Sequence, residues 1–503
     1  MKFNVTNKGM DKVLNHEGAP AYRLSAELSL YSAVVTSLQS DFFYEKAERR
    51  RICELIAQSE PLFVAQLAVY ARTKMNLRSV PLVLAVELAK VHKGDDLLCR
   101  MVSRIVQRAD EITKLLAYYQ VANNRGGFKK LNRLSKQLQA GLQEAFNRFD
   151  EYQFAKYNRD TAVGLRDALF LVHPKAKNEE QQMLFNKIVK DMLETPYTWE
   201  TELSAVGQVK YADDAKRALA FRAKWEELID SRKMGYMALM RNLQNIMEAN
   251  VSSEHMTKVC VSLSSAEAVR RSRQLPFRFL SAYREVSRVP SLYAGRIMDA
   301  LEEAVWVSTE NIAGFNENTN VLLACDVSAS MQKPVSPKSK VQLYDIGLML
   351  AMLLKSHCKN VISGMFGSSW KVMNMPSKSI LSNVDAFYRR EGEVGYATNG
   401  YLVVEYLLEK NIRMDKVMIF TDIQLWNSVG DTLIWPLWRR YKNRYPSSRL
   451  YLFDLAGYGT TPLNVAEVEG VYLIAGWSDK IFNVLSALEN NESTLSEIRG
   501  MTV

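Results

Sequence analysis

Val321–Met331 reads VLLACDVSASM, and this stretch decides the fold of the C-terminal part of the chain. Val321 to Cys325 are apolar without alternation, as in a strand buried on both faces of a parallel sheet. Asp326, Ser328 and Ser330 follow at alternate positions just past the strand end. One carboxylate and two hydroxyls so spaced form half of an oxygen cage for a hard cation. The carboxyl edge of an α/β sheet is also where ligands bind. Asp and Ser equally serve a plainer end there, capping the next helix.

Two later stretches bear on that choice. Val417–Asp422 (VMIFTD) is a second apolar run ending in Thr-Asp, and Glu391–Gly400 (EGEVGYATNG) is a Gly-punctuated loop opening a helix. Asp-x-Ser-x-Ser, then a loop Thr, then a strand-end Asp resembles the metal-ion-dependent adhesion site of von Willebrand factor A domains. The resemblance implies a ligand set of Asp326, Ser328, Ser330, Thr398 and Asp422. Asp422 would act mostly through water, and an open position would take a partner's carboxylate. The cation expected of an all-oxygen site is Mg²⁺. The family usually shows Gly-Gly-Thr-Asp at the loop, where this chain has Tyr396-Ala397-Thr398-Asn399.

Working outward, residues 312–320 (IAGFNENTN) read as a linker. Beyond it strands and helices alternate. Strands are expected at 321–325, 360–366, 416–421, 449–455 and 471–475, with a short edge strand at 371–375. Helices are expected at about 341–356, 400–410, 430–443 and 479–489. Strands separated by helices imply parallel pairing with right-handed crossovers, a doubly wound α/β domain over 315–503.

At 503 residues the chain exceeds one hydrophobic core, so two or more domains are expected. Its 48% hydrophobic and 24% charged content is ordinary for a soluble globular protein. No apolar run approaches the ~20 residues needed to cross a bilayer, and Met1–Asn7 carries no signal-peptide core. The five cysteines, Cys53, Cys99, Cys260, Cys325 and Cys358, are scattered without a CxxC pair. Reduced thiols in a cytoplasmic protein are expected, with neither a disulfide framework nor a zinc site. Of the net +10, residues 1–314 hold 46 basic against 37 acidic side chains, and residues 315–503 hold 19 against 18. A basic excess confined to the N-terminal part suits a polyanion such as nucleic acid, although a solvated surface gives the same count.

From Ser25 the pattern is helical for almost three hundred residues, after a loop expected over 15–22. Leu28, Tyr31, Val34, Val35 and Leu38 share one face, as do Leu62, Ala65, Gln66, Val69 and Tyr70. Helices joined by short polar turns, with no fixed sequence period, fit an irregular array of antiparallel helix pairs. Residues 123–130 (NNRGGFKK) form a basic turn with Arg125, Lys129 and Lys130. Lys156, Tyr157, Arg159, His173 and Lys175 flank one expected helix, about Thr161–Val172, roughly 18 Å long at ~1.5 Å per residue. Phosphate charge, a stacking ring and hydrogen-bonding groups at its two ends suit RNA. A lone His beside Pro is also a common helix C-cap. Arg270, Arg271 and Arg273 make a further basic cluster.

With NHEGAPAYRLS (15–25), LRSVPLVLAVELA (77–89), KYNRDTAVGLRDALFLVHPKAK (156–177), MALMRNLQNI (237–246), LPFRFLSAYREV (275–286) and CDVSASM (325–331), nearly the whole chain resembles the TROVE family of telomerase, Ro and vault proteins. The likeness is strongest to its Ro autoantigen branch and bacterial orthologues. That resemblance implies an all-α ring of HEAT-like hairpins over 1–314, followed by a doubly wound von Willebrand factor A-like domain over 315–503. It implies small structured Y-type RNA on the outer basic surface, and single-stranded 3′ ends of misfolded RNAs in a central hole. Lys156, Arg159, His173 and Lys175 stand where the family's basic segment contacts RNA.

The expectation is therefore a non-catalytic RNA-binding protein of RNA quality control or a ribonucleoprotein scaffold, without membrane association. An exoribonuclease or another protein could offer a carboxylate to the metal site. The alternative is a metal-dependent protein-interaction scaffold with no specific RNA. A metal-dependent hydrolase ranks last, since hydroxyls outnumber carboxylates at the site and neither a phosphate loop nor a nucleophile–base–orienter set is visible.

Overall fold

The structure, a computed structural model, describes residues 12–14, 20–37, 46–123, 134–158, 161–274, 276–308, 318–335, 339–376, 379–425, 434–462, 470–476 and 494–503. They form two compact units, one of residues 26–201 with 495–503, the other of residues 1–25 with 202–494.

In the first unit, successive helices pack on one another from Ala26–Val35 to Glu179–Val189. Ser79–Val91 is apolar nearly all round, and every residue from Val80 to Leu88 is buried, as a helix at the centre of a unit requires. Its one buried carboxylate, Glu87, accepts the Tyr118 hydroxyl at 2.6 Å and pairs with Lys90. Arg72 and Glu111, also buried, pair at 2.9 Å, and Glu111 further accepts the backbone N–H of Gln107 and Arg108. Both of these buried carboxylates are thus hydrogen-bonded and paired with a cation. Helix Lys136–Phe146 approaches Leu97–Ile105 so closely that a Cβ on Gly141 would sit 2.6 Å from Val102 Cβ. The chain's end returns to its first helices, with Gln66 donating to the Met501 carbonyl and Arg499 pairing with Glu27. Leu62, read as part of the apolar face of its helix, is 44% exposed.

Among its described residues the second unit holds nine strands: β1 Lys12–Leu14, β2 Pro20–Arg23, β3 Asn320–Asp326, β4 Asn360–Phe366, β5 Trp370–Val372, β6 Lys416–Thr421, β7 Arg449–Asp454, β8 Thr460–Thr461 and β9 Val471–Ala475. A six-stranded sheet runs β5-β4-β3-β6-β7-β9, all parallel except the edge strand β5. The strand before β4 in sequence, β3, lies between β4 and β6, so the chain winds outward in both directions from β3. The carboxyl end of the β3–β6 pair is then the topological switch point, where the crossovers diverge and leave a crevice. Leu343–His357 makes the β3–β4 crossover and is buried along nearly its whole length. The strands expected near 320, 360, 416, 449 and 471 all form, while the closing helix expected at 479–489 lies outside the described residues.

The expected loop over 15–22 needs correction at its end. Pro20–Arg23 is a strand, paired antiparallel with β1 and with β8. Its alternation is too short, and its Pro too prominent, to announce a strand whose partner lies more than 400 residues on. Helices Pro276–Val286 and Ala294–Ser308 pack against the crossover helices of the sheet. Arg284 forks onto Asp345 at 2.7 and 2.9 Å, and Glu302 accepts three backbone N–H groups, those of Ile380, Leu381 and Ser382, at the start of helix Leu381–Tyr388.

Candidate functional site

Asp326 closes β3 at the switch point, fully buried. Its Oδ1 accepts the Ser328 N–H at 2.9 Å, a tight Asx turn that places Ser328 Oγ 3.3 Å from Ser330 Oγ. Its Oδ2 accepts the Thr421 hydroxyl at 2.6 Å. Cys325 pairs with Phe420 across the β3–β6 ladder, so Asp326 faces Thr421 and Asp422 comes next. Asp422 is buried too, its Oδ1 accepting the Gln424 N–H at 3.0 Å. The turn that presents it carries Ile423 at φ 64, a left-handed conformation costly for a β-branched residue.

The loop with Thr398 is fastened to the same edge. Ala329 N–H donates to the Tyr396 carbonyl, and Asn399 N–H to that of Gly367. A Cβ on Gly367 would collide with the Gly395 carbonyl oxygen, and Gly395 itself has φ 69, so two glycines permit the loop to lie this close to β4. Thr398 is buried, and Gly400 lies against Leu425, beyond Asp422. The segments that carry the five residues implied by the likeness thus meet at one sheet edge. Thr421 escaped the reading, although it stands in the same Thr-Asp strand end that suggested Asp422.

Burial pushes the Asp326 carboxyl well above its ordinary value, and the Asp422 carboxylate pushes it the same way. Among the described residues no group of three or more His, Cys, Asp or Glu gathers anywhere as a metal site. Here two buried carboxylates, Asp326 and Asp422, share a sheet edge with segments bearing the hydroxyls of Ser328, Ser330 and Thr398, an all-oxygen set whose excess negative charge a hard divalent cation would offset.

The basic segment differs from its expectation. Helix Leu165–Val172 is four residues shorter at its start, about 12 Å long. Lys156 and Tyr157 belong to a separate helix of only seven residues, Glu151–Tyr157, which a capping box between Asp150 and Gln153 opens. Both helices pack on Ala109–Ala122. Arg108 lies 4.4 Å from the Tyr157 ring centroid, and Lys156 lies 5.4 Å from that of the exposed Tyr152. His173 is a left-handed C-cap, φ 50, with its side chain exposed, as is that of Lys175. A ladder of amides on helix Lys136–Phe146 and its cap fixes this segment. Gln139 and Gln143 donate to the Val172 carbonyl, Gln143 also to that of His173, and Asn147 to that of Lys175. Arg159, Arg125, Lys129 and Lys130 lie outside the described residues.

A nucleophile–base–acid set does come together, contrary to expectation. Ser252 Oγ is 2.7 Å from His255 Nδ1, and His255 Nε2 is 3.2 Å from Asp230 Oδ2. Ser252 is the N-cap of helix Ser253–Ser264, and Glu226 accepts its backbone N–H at 2.8 Å. A carboxylate at the nucleophile's own N–H opposes any oxyanion there. The trio is a helix cap.

The TROVE domain model matches residues 36–222 and 190–291, together more than half the chain. The chain belongs to the TROVE-domain family. It is 26% identical over 312 residues to telomerase protein component 1 of Mus musculus and 25% identical over the same length to that of Rattus norvegicus. Each alignment covers 48% of this chain and only 12% of the relative. The crystal structure of the Deinococcus radiodurans Ro (RSR) protein shares the fold, with a TM-score of 0.58 at 17% identity over 93% of this chain and all of that one.

Proposed function

We propose that this protein binds structured non-coding RNA without catalysis, through exposed basic and aromatic side chains of the 26–201 unit. The observation that carries this reading is the pinned segment Val172–Lys175, which holds exposed His173 and Lys175 on a backbone fixed by four amide hydrogen bonds. Lys156 and Tyr157 of helix Glu151–Tyr157, with Arg108 at the start of Ala109–Ala122, add charge and a stacking face. Family membership supports the same direction, as does the confinement of basic excess to residues 1–314. The finer reading is a Y-type RNA on this surface, single-stranded 3′ ends in a ring of HEAT-like hairpins over 1–314, and a role in RNA quality control in the cytoplasm. No described helix is long and apolar enough to cross a membrane.

Residues 315–503 are read as a von Willebrand factor A-like domain in which Asp326, Ser328, Ser330, Thr398 and Asp422 would hold Mg²⁺. The cation would supply an open position for a carboxylate of a protein partner, an exoribonuclease being one candidate. The buried, mutually repelling carboxylates favour that second activity beside RNA binding.

The test is electrophoretic titration of a small hairpin RNA at several salt concentrations. Affinity should fall linearly on logarithmic axes, because each neutralised phosphate releases condensed counterions. Lys156→Ala with Lys175→Ala should lower affinity and flatten the slope, whereas Lys210→Ala with Lys216→Ala should do neither. Equal loss from both pairs, or no binding at low salt, would remove the assignment.

A further inference from the structure

We propose that the cavity beside the C-terminal end of helix Leu165–Val172 is a subsite for one unstacked nucleobase, a refinement that rests on the RNA-binding reading. The cavity, about 250 Å³, is lined by Phe170, His173, Pro174, Phe185, Gln182 and Asn186 among others. That is below the roughly 300–1,000 Å³ of sites for drug-sized ligands and of the order of a single heterocycle.

Its chemistry is divided as base recognition requires. Phe170 is 48% exposed on a helix whose Leu165, Leu169 and Val172 are buried and whose Leu171 is half-buried. An exposed ring is a stacking platform that accepts any base. Arg166, one turn earlier, has its guanidinium 5.9 Å from the Phe170 centroid, which puts a cation for the attached phosphate beside the platform. On the facing helix, Gln182 and Asn186 stand one turn apart, Gln182 Nε2 donating to Asn186 Oδ1 at 3.2 Å. That bond uses one hydrogen and one lone pair, so the two exposed amides keep both donors and acceptors for a base edge.

The cavity is also preformed. His173 caps its helix in a left-handed conformation, and the Gln139, Gln143 and Asn147 amides hold the carbonyls on either side of Pro174. A wall fixed in this way loses little freedom on binding. Paired RNA presents no base face to such a platform, since stacking and the deep narrow groove conceal it. The occupant is therefore a bulged, looped or terminal nucleotide.

The experiment compares two hairpin RNAs, one fully paired and one with a single bulged 2-aminopurine, by titration and by fluorescence. The protein should bind the bulged hairpin about tenfold more tightly, the weight of one stacked base, and quench its fluorescence. Phe170→Ala should abolish the preference and the quenching while binding the paired hairpin as before. Phe170→Tyr should retain both, and Gln182→Ala with Asn186→Ala should reduce the preference. Equal binding of the two hairpins by the unaltered protein overturns the subsite and leaves the RNA-binding reading standing. Failure to bind either hairpin overturns both.

Discussion

Thr421→Val isolates a single atom of the candidate metal site. The Thr421 hydroxyl donates to Asp326 Oδ2 at 2.6 Å, with both residues fully buried and the acceptor a carboxylate. Hydrogen bonds to charged groups contribute about 1.5–3 kcal/mol, and this one lies at the short end of its range. The same oxygen accepts the Ile423 N–H at 3.2 Å, so valine leaves a backbone donor unanswered as well. Valine has nearly the volume of threonine, so no cavity accompanies the change. The expected loss is roughly 2–4 kcal/mol in unfolding free energy. Metal affinity should fall more tellingly. A group that orients a ligating carboxylate typically carries 10–100-fold in affinity. Calorimetric titration with Mn²⁺ should show that loss in Thr421→Val, while Thr421→Ser, which restores the hydroxyl, should recover most of it. A valine variant that binds Mn²⁺ as the unaltered protein does would refute the argument that Thr421 aims Asp326 at a cation.

Other outcomes follow from the same geometry. Asp326→Ala should abolish Mg²⁺ binding by calorimetry yet bind a hairpin RNA normally, because residues 315–503 are nearly neutral and lie apart in sequence from the basic segment; loss of RNA binding would contradict that separation. Arg284→Met leaves Asp345, wholly buried, without its guanidinium fork, and denaturant unfolding should register about 3–5 kcal/mol of lost stability. Glu393 is held down to about 2 by its hydrogen bonds to Arg390 and Lys371. A depressed carboxyl stabilises the fold above its unfolded value near 4.5, and that contribution is lost as pH falls toward 2. Amide protection factors in Glu391–Gly395, the intrinsic exchange rate at each pH divided by the observed rate, should therefore fall below about pH 4, and unchanged protection at pH 2.5 would refute the coupling.

Much of the second unit was legible because parallel strands must be apolar on both faces. Val321–Cys325 and Val417–Phe420 announce themselves by unbroken runs, and the strand ends then place Asp326 and Asp422 without further information. Thr398 was legible only through a likeness, since no period connects it to either strand. Pro20–Arg23 was not, because its pairing with Thr460–Thr461 is set by tertiary contact and leaves no local trace. The helical part yielded its elements but not its details. Helix 165–172 starts at Gly164 because that residue takes an extended N-cap conformation closed by Asp167, a cue that the apolar pattern from Val163 onward conceals. The Ser252–His255–Asp230 trio was invisible for a different reason: capping brings Ser252 to His255, but only packing brings Asp230.

Ultraviolet cross-linking of the protein to RNA in its own cell, followed by mass spectrometry of the cross-linked peptides, tests RNA binding most directly. The geometry predicts cross-links in the peptides spanning 151–158 and 165–177, with Tyr157, Phe170 or His173 as the modified residues. Cross-links confined to residues 318–503, or no RNA attached at all, would contradict it.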